Sequence, residues 1–128
     1  MILSPIDSVH LIWPHLEAAL QRVKDKTGER WTLPFVFDRI ASGNAGLFRF
    51  HEDGKHFGYM VVERYDQGEV WMNVWILEGE GLDRFDECLP LVDDLAKSIG
   101  AASWRCTGRK GWAKFLKPVA TVFERELT

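Results

Sequence analysis

From Val70 to Leu77 the chain is apolar at every position except Asn73. Val70, Met72, Val74 and Ile76 alternate onto one side of a strand. Trp71, Asn73, Trp75 and Leu77 take the other. A sheet-surface strand is polar on one face, so this pattern predicts a central strand with cover on both sides. Two strands precede it, Leu47–His51 and Phe57–Tyr65. Asp53-Gly54 is the hairpin signal between them, and Asp66-Gln67-Gly68 turns the chain into the central strand. In the second strand Phe57, Tyr59, Val61 and Glu63 share one face, opposite Gly58, Met60, Val62 and Arg64. Such short loops predict an antiparallel meander.

The period changes on either side of this block. Leu16, Ala19, Leu20 and Val23 recur at helical spacing. Pro14 is suited to the first helical position, and Gly28 to the stop behind Lys24 and Lys26. Thr32 can cap a second, shorter helix that tolerates Pro34 in its first turn and ends at Gly43. Ser4–His10 reads as a short lead-in, an irregular strand or a turn. Leu82–Ile99 carries an apolar stripe of Leu82, Phe85, Leu89, Val92, Ala96 and Ile99. Pro90 implies a kink, or a helix that begins after Phe85. Ala101–Cys106 reads as a strand, and a helix joining two strands predicts parallel pairing. A loop, a helical turn over Trp112–Leu116 and a closing strand over Val119–Leu127 complete the chain. The predicted order is α-α-β-β-β-α-β-α-β, an α/β protein with a mixed central sheet between helices.

Composition narrows the function classes. The 128 residues make one domain, 1–128, with 46% hydrophobic and 27% charged positions, ordinary for a folded soluble chain. A net charge of −3 gives no broad basic surface for nucleic acid. The opening MILSPIDSVHLIWP is apolar, yet Pro5 and Pro14 break it and no basic residue leads it, so neither a secretory signal nor a membrane span is expected. Cytoplasm, here that of a host cell, is the expected compartment, with a virion as the alternative. Cys88 and Cys106 lack zinc-like spacing and read as buried thiols. His10, His15, His51 and His56 form no helical ligand pair, so no metal site is expected.

The element order resembles the GNAT acyltransferase superfamily from Pro14 onward. Ala96-Lys97-Ser98-Ile99-Gly100 resembles the family's helix ending before its next strand. Gly111-Trp112-Ala113-Lys114-Phe115-Leu116 resembles its last helix. Gly108-Arg109-Lys110-Gly111-Trp112 is also similar to small GNAT-like proteins of tailed bacteriophages. The resemblance implies a slot between the fourth and fifth strands for the pantetheine arm of acetyl-CoA or another acyl-CoA. It also implies a loop whose backbone N–H groups meet the pyrophosphate at a helix N-terminus. Carried onto this chain, the cofactor-facing positions are Trp75, Ile76, Leu77, Gly79, Gly81 and Arg84.

The sequence departs from that pattern at three points. Ile76 stands where a basic or amide residue is expected. Glu78 and Glu80 flank Gly79, where negative charge opposes a diphosphate. Phe115 stands where the family often has a tyrosine that protonates the thiolate. These departures lead to the expectation of a GNAT-like phage or prophage protein with a degenerate acyl-CoA loop. Its role would be non-enzymatic, in virion assembly or binding, its partners phage structural proteins or a second copy. The alternative is an acyl-CoA-dependent N-acetyltransferase working by direct attack of an amine on the thioester. Glu63 is readable as a general base in a cleft, but the simpler reading is a carboxylate in water. Trp104, Trp112 and Phe115, with Arg105, Arg109, Lys110, Lys114 and Lys117, form an aromatic-basic group. It reads first as helix packing with wetted lysines, and second as a partner or anion surface.

Overall fold

The computed structural model describes residues 1–79, 84–107, 116–117 and 125–126. Five strands lie side by side in chain order: β1 (Ile2–Pro5), β2 (Gly46–Glu52), β3 (Lys55–Asp66), β4 (Val70–Gly79) and β5 (Ser103–Cys106). The first four are antiparallel, and β5 joins β4 in parallel through the predicted crossover helix. Helices α1 (Val9–Thr27) and α2 (Leu33–Ala41) cover one face, and α3 (Phe85–Ser98) covers the other. The fold is therefore the expected mixed α/β arrangement, with one strand, β1, added ahead of the first helix.

Local chemistry explains most boundaries. Asp53 (φ 51°) and Gly54 (φ 77°) form the tight turn that joins β2 to β3, the left-handed pair such hairpins need. Thr32 accepts the Phe35 N–H at 3.3 Å and opens α2 as predicted. Gly28 closes α1 at φ 69°, its N–H on the Lys24 carbonyl. However, α1 begins at Val9, so Pro14 lies inside it rather than at its start. The proline leaves one helical bond unmade at His10. Continuous packing of Val9, Leu16, Ala19 and Leu20 against the sheet outweighs that loss.

The central strand is covered on both sides, as its composition predicted. One core joins α1 and α2 to Leu47, Tyr59, Val61 and Ile76; the other joins α3 to Phe50, Met60, Val62, Met72 and Val74. Simple alternation fails at two places. Val61 pairs with Ile76 but Val62 pairs with Val74, so Trp75 is an extra residue in β4. This β-bulge puts Ile76 on the α1 side with Trp75, away from Met72 and Val74. A second bulge lies between Phe50 and His51, where Phe57 has no partner. Phe57 accordingly packs on the α3 side, not on the side of Tyr59 and Val61.

No helix among the described residues is long and apolar enough to cross a membrane. Of the predicted helical turn over Trp112–Leu116 only Leu116, and of the predicted closing strand over Val119–Leu127 only Arg125 and Glu126, fall within the described residues. Leu116 sits in a bend, and Arg125 and Glu126 are outside any strand.

Candidate functional site

The parallel β4–β5 ladder is short. Trp71, Met72, Asn73 and Val74 pair with Ser103, Trp104, Arg105 and Cys106, and there it stops. β4 runs on to Gly79, bonded on its other edge to β3. Among the described residues nothing pairs with the β5-facing edge of β4 from Trp75 onward. The ladder ends just before the bulged Trp75, because the extra residue bends the strand and breaks the regular spacing of its donors and acceptors. An open strand edge inside a sheet offers backbone N–H and C=O groups to an extended ligand.

Trp75, Ile76, Leu77 and Gly79 belong to this open segment, and Gly81 lies outside the described residues. Trp75 is half-buried and meets Phe35 edge-on, centroids 5.9 Å apart. Ile76 is core. Gly79 has a structural requirement of its own. It faces Gly58, and a Cβ at Gly79 would sit 2.5 Å from the Phe57 carbonyl oxygen. A Cβ at Gly58 would sit 2.1 Å from the Glu78 carbonyl oxygen. The two backbones approach this closely only because both residues lack side chains.

The charges at this end are engaged. Glu78 turns toward α1, where Arg22 meets it at 3.3 Å, so part of its negative charge is compensated. Its other oxygen, Oε2, is buried and accepts no hydrogen bond among the described residues. Beside it Tyr59 shares a 2.5 Å hydrogen bond with His15. Burial, and then the Glu78 charge, push the Tyr59 phenol above its usual range. Burial, helped by the nearby His15, holds His56 below the ordinary histidine value. Arg84, at the N-terminal end of α3, binds Glu52 at 3.0 Å, also binds Glu87, and stacks over Phe57 at 5.2 Å. Both carboxylates raise its pKa and keep it charged. As it stands, that cation serves two acidic side chains.

A polar row crosses the sheet one residue before the β4–β5 ladder ends. Glu63 pairs with Asn73, and Asn73 pairs with Arg105, so the three lie side by side on β3, β4 and β5. Glu63 is only 8% exposed, so it is not the solvated carboxylate expected from sequence. It accepts from Arg39 on α2 at 2.7 Å, from Asn73 at 3.1 Å and from Tyr65 at 3.3 Å. Burial, and then the Glu63 charge, raise the Tyr65 pKa. Tyr65 stacks on Trp71 at 4.5 Å, and the exposed Arg105 guanidinium covers the ring at 4.5 Å. Sequence reasoning missed this row. Part of its signal was present: Asn73 is the one polar residue in the apolar run Val70–Leu77, and Glu63 shares a strand face with Phe57, Tyr59 and Val61 in the sequence pattern.

The remaining candidates separate. Trp104 donates to Asp93 at 2.7 Å and packs beneath α3, in keeping with its structural reading. Arg109, Lys110, Trp112, Lys114 and Phe115 lie outside the described residues. Burial raises the thiol pKa of Cys88 and takes that of Cys106 to about 11, so both are unreactive thiols at neutral pH. Among the described residues no group of three His, Cys, Asp or Glu side chains could hold a metal ion.

Comparison with known proteins gives the class. No family model matches the chain, and no curated protein matches it. Solved structures do match over nearly the whole length. An aminoglycoside acetyltransferase from an uncultured soil metagenomic sample, in complex with sisomicin, is similar at TM-score 0.69 and 10% identity, covering 99% of this chain and 96% of that one. A ribosomal-protein-alanine N-acetyltransferase from Brucella melitensis biovar Abortus 2308 gives 0.67 and 10%, covering 98% and 100%. A predicted acetyltransferase with acetyl-CoA from Clostridium acetobutylicum gives 0.68 and 9%, covering 98% and 96%. At these identities the likeness establishes the fold alone: this chain has the GNAT acetyltransferase fold.

Proposed function

We propose that this protein is an acyl-CoA-dependent N-acyltransferase. The observation that carries the reading is that, among the described residues, nothing pairs with the β4 edge from Trp75 to Gly79 beyond the end of β5 at Cys106. That edge suits the amide-rich pantetheine arm, which can add to β4 as a strand would. The acyl carbon then lies near Val74, where the two strands part. The amine nitrogen attacks the thioester carbonyl; the C–N bond forms and the C–S bond breaks. The amine gives up one proton and the departing thiolate takes one. Acetyl-CoA bound to a relative of the same fold supports this choice of cofactor. Titration calorimetry tests it: saturable micromolar binding of acetyl-CoA is expected, and no heat at millimolar ligand would refute it.

A second reading is favoured by Arg84. Its guanidinium is held by Glu52 and Glu87 rather than free for a diphosphate, and Asp86 adds a further acid in the first turn of α3. On that reading the fold serves protein binding without acyl transfer, with phage structural proteins or a second copy as partner. It predicts no acetyl-CoA binding in the same titration. It also predicts co-fractionation with virion particles.

A further inference from the structure

We infer that the row Glu63–Asn73–Arg105 seats an acceptor that carries both an amine and a carboxylate, that is, a free amino acid. This inference rests on the acyltransferase reading and names the substrate class of the same site. Its basis is the order of charge along one line. Glu63, Asn73 and Arg105 occupy directly paired positions on adjacent strands, so they share one face and present negative, neutral and positive groups in sequence. The row lies one residue before the end of the β4–β5 ladder, beside the proposed position of the thioester.

Each end has capacity for a ligand. A carboxylate offers about four acceptor positions. Glu63 uses three of them, on Arg39, Asn73 and Tyr65, which leaves one for an amine N–H. The Arg105 guanidinium sits over the Trp71 ring at 4.5 Å, and no carboxylate pairs with it among the described residues. A guanidinium suits a planar carboxylate.

The charge sum selects between acceptor classes. Glu63 is balanced by Arg39, so Arg105 leaves the site with one net positive charge among these three residues. A polyamine or other polycation is therefore disfavoured, and a singly charged carboxylate is matched.

The test uses the intact chain and matched ligand pairs: glycine, alanine, leucine and phenylalanine, each against the amine that lacks its carboxylate, with spermidine as the polycation. Equilibrium binding is followed by calorimetry and by ligand-observed NMR, without cofactor. At least one amino acid is expected to bind tenfold or more tightly than its amine. Arg105→Gln should remove that preference by weakening amino-acid binding, with amine binding no weaker than before, and should lower the melting temperature by no more than the loss of one exposed cation–π contact. Spermidine should bind more weakly than any preferred amino acid. Equal binding within every pair, or a preference that survives Arg105→Gln, would overturn the inference. Amino-acid binding without acetyl-CoA binding would instead overturn the acyltransferase reading and leave the row in place.

Discussion

Deleting Trp75 tests whether it is the surplus residue of β4. Val61 pairs with Ile76 and Val62 with Val74, so removing Trp75 brings Val74 and Ile76 into ordinary succession. Val74 and Leu77 keep their places under α3, and Ile76 its place under α1. What is lost is a half-buried indole and its edge contact with Phe35. A fully buried Trp→Ala change costs about 3–5 kcal/mol, so half burial gives about 2 kcal/mol. Trp75→Ala should therefore cost about 2 kcal/mol, and the deletion should fall within about 1 kcal/mol of it. Deletion of Met72 is the contrast. Met72 is fully buried with an ordinary partner, Arg64, and its loss turns the residues on one side of the gap to the wrong face. Urea unfolding followed by tryptophan fluorescence reads all three variants. If the Trp75 deletion fails to fold as the Met72 deletion does, Trp75 is not surplus and the account of the open edge is wrong.

Three further predictions follow from single contacts. Gly58→Ala should destabilise by about 3 kcal/mol or more in urea unfolding, because the new Cβ meets the Glu78 carbonyl oxygen at 2.1 Å and neither backbone can give way. A cost under about 1 kcal/mol would show that β3 and β4 are not so closely apposed. His56 has a folded pKa below its unfolded value of 6.5, so the unfolded chain binds more protons and stability falls as pH drops through 6.5 toward the folded value. His56→Gln should flatten that part of the melting-temperature profile; an unchanged slope would remove His56 as its cause. Finally, a disulfide reagent at pH 8 should modify Cys88 and Cys106 slowly in the native protein and quickly in urea, since burial raises both thiols. Fast native labelling of either would contradict their burial.

Much of the fold was legible because periodicity reports burial. The apolar strand at Val70–Leu77, the Asp53-Gly54 turn, the Thr32 cap and the Gly28 stop each reflect one local physical cause, and each element appears where that cause places it, although the alternation within the strand holds only as far as Val74. The bulges at Trp75 and Phe57 were not legible. Strand periodicity assumes one residue opposite one residue, and only the partner strand reveals the extra one. β1 was read only as an irregular strand or turn over Ser4–His10, too late in the chain, because four residues ending in Pro5 carry too little pattern, and its partner β2 lies more than forty positions further along. Pro14 misplaced the start of α1 because its rule is local whereas the packing of Val9 is tertiary. At the site, Trp75, Ile76, Leu77, Gly79, Gly81 and Arg84 were assigned to the cofactor by resemblance alone, because no local pattern shows which strand edge a neighbour leaves uncovered. The row of Glu63, Asn73 and Arg105 depends on register across three strands, which a single sequence does not display.

Hydrogen exchange with and without acetyl-CoA tests the account most directly. The open edge of β4 should exchange faster than the β3-bonded edge in the free protein. On adding saturating acetyl-CoA, amides within Trp75–Gly79 are expected to slow by tenfold or more, while those of β1 and β2 remain unchanged. Saturable binding with no protection in that segment would contradict the claim that this strand edge seats the cofactor.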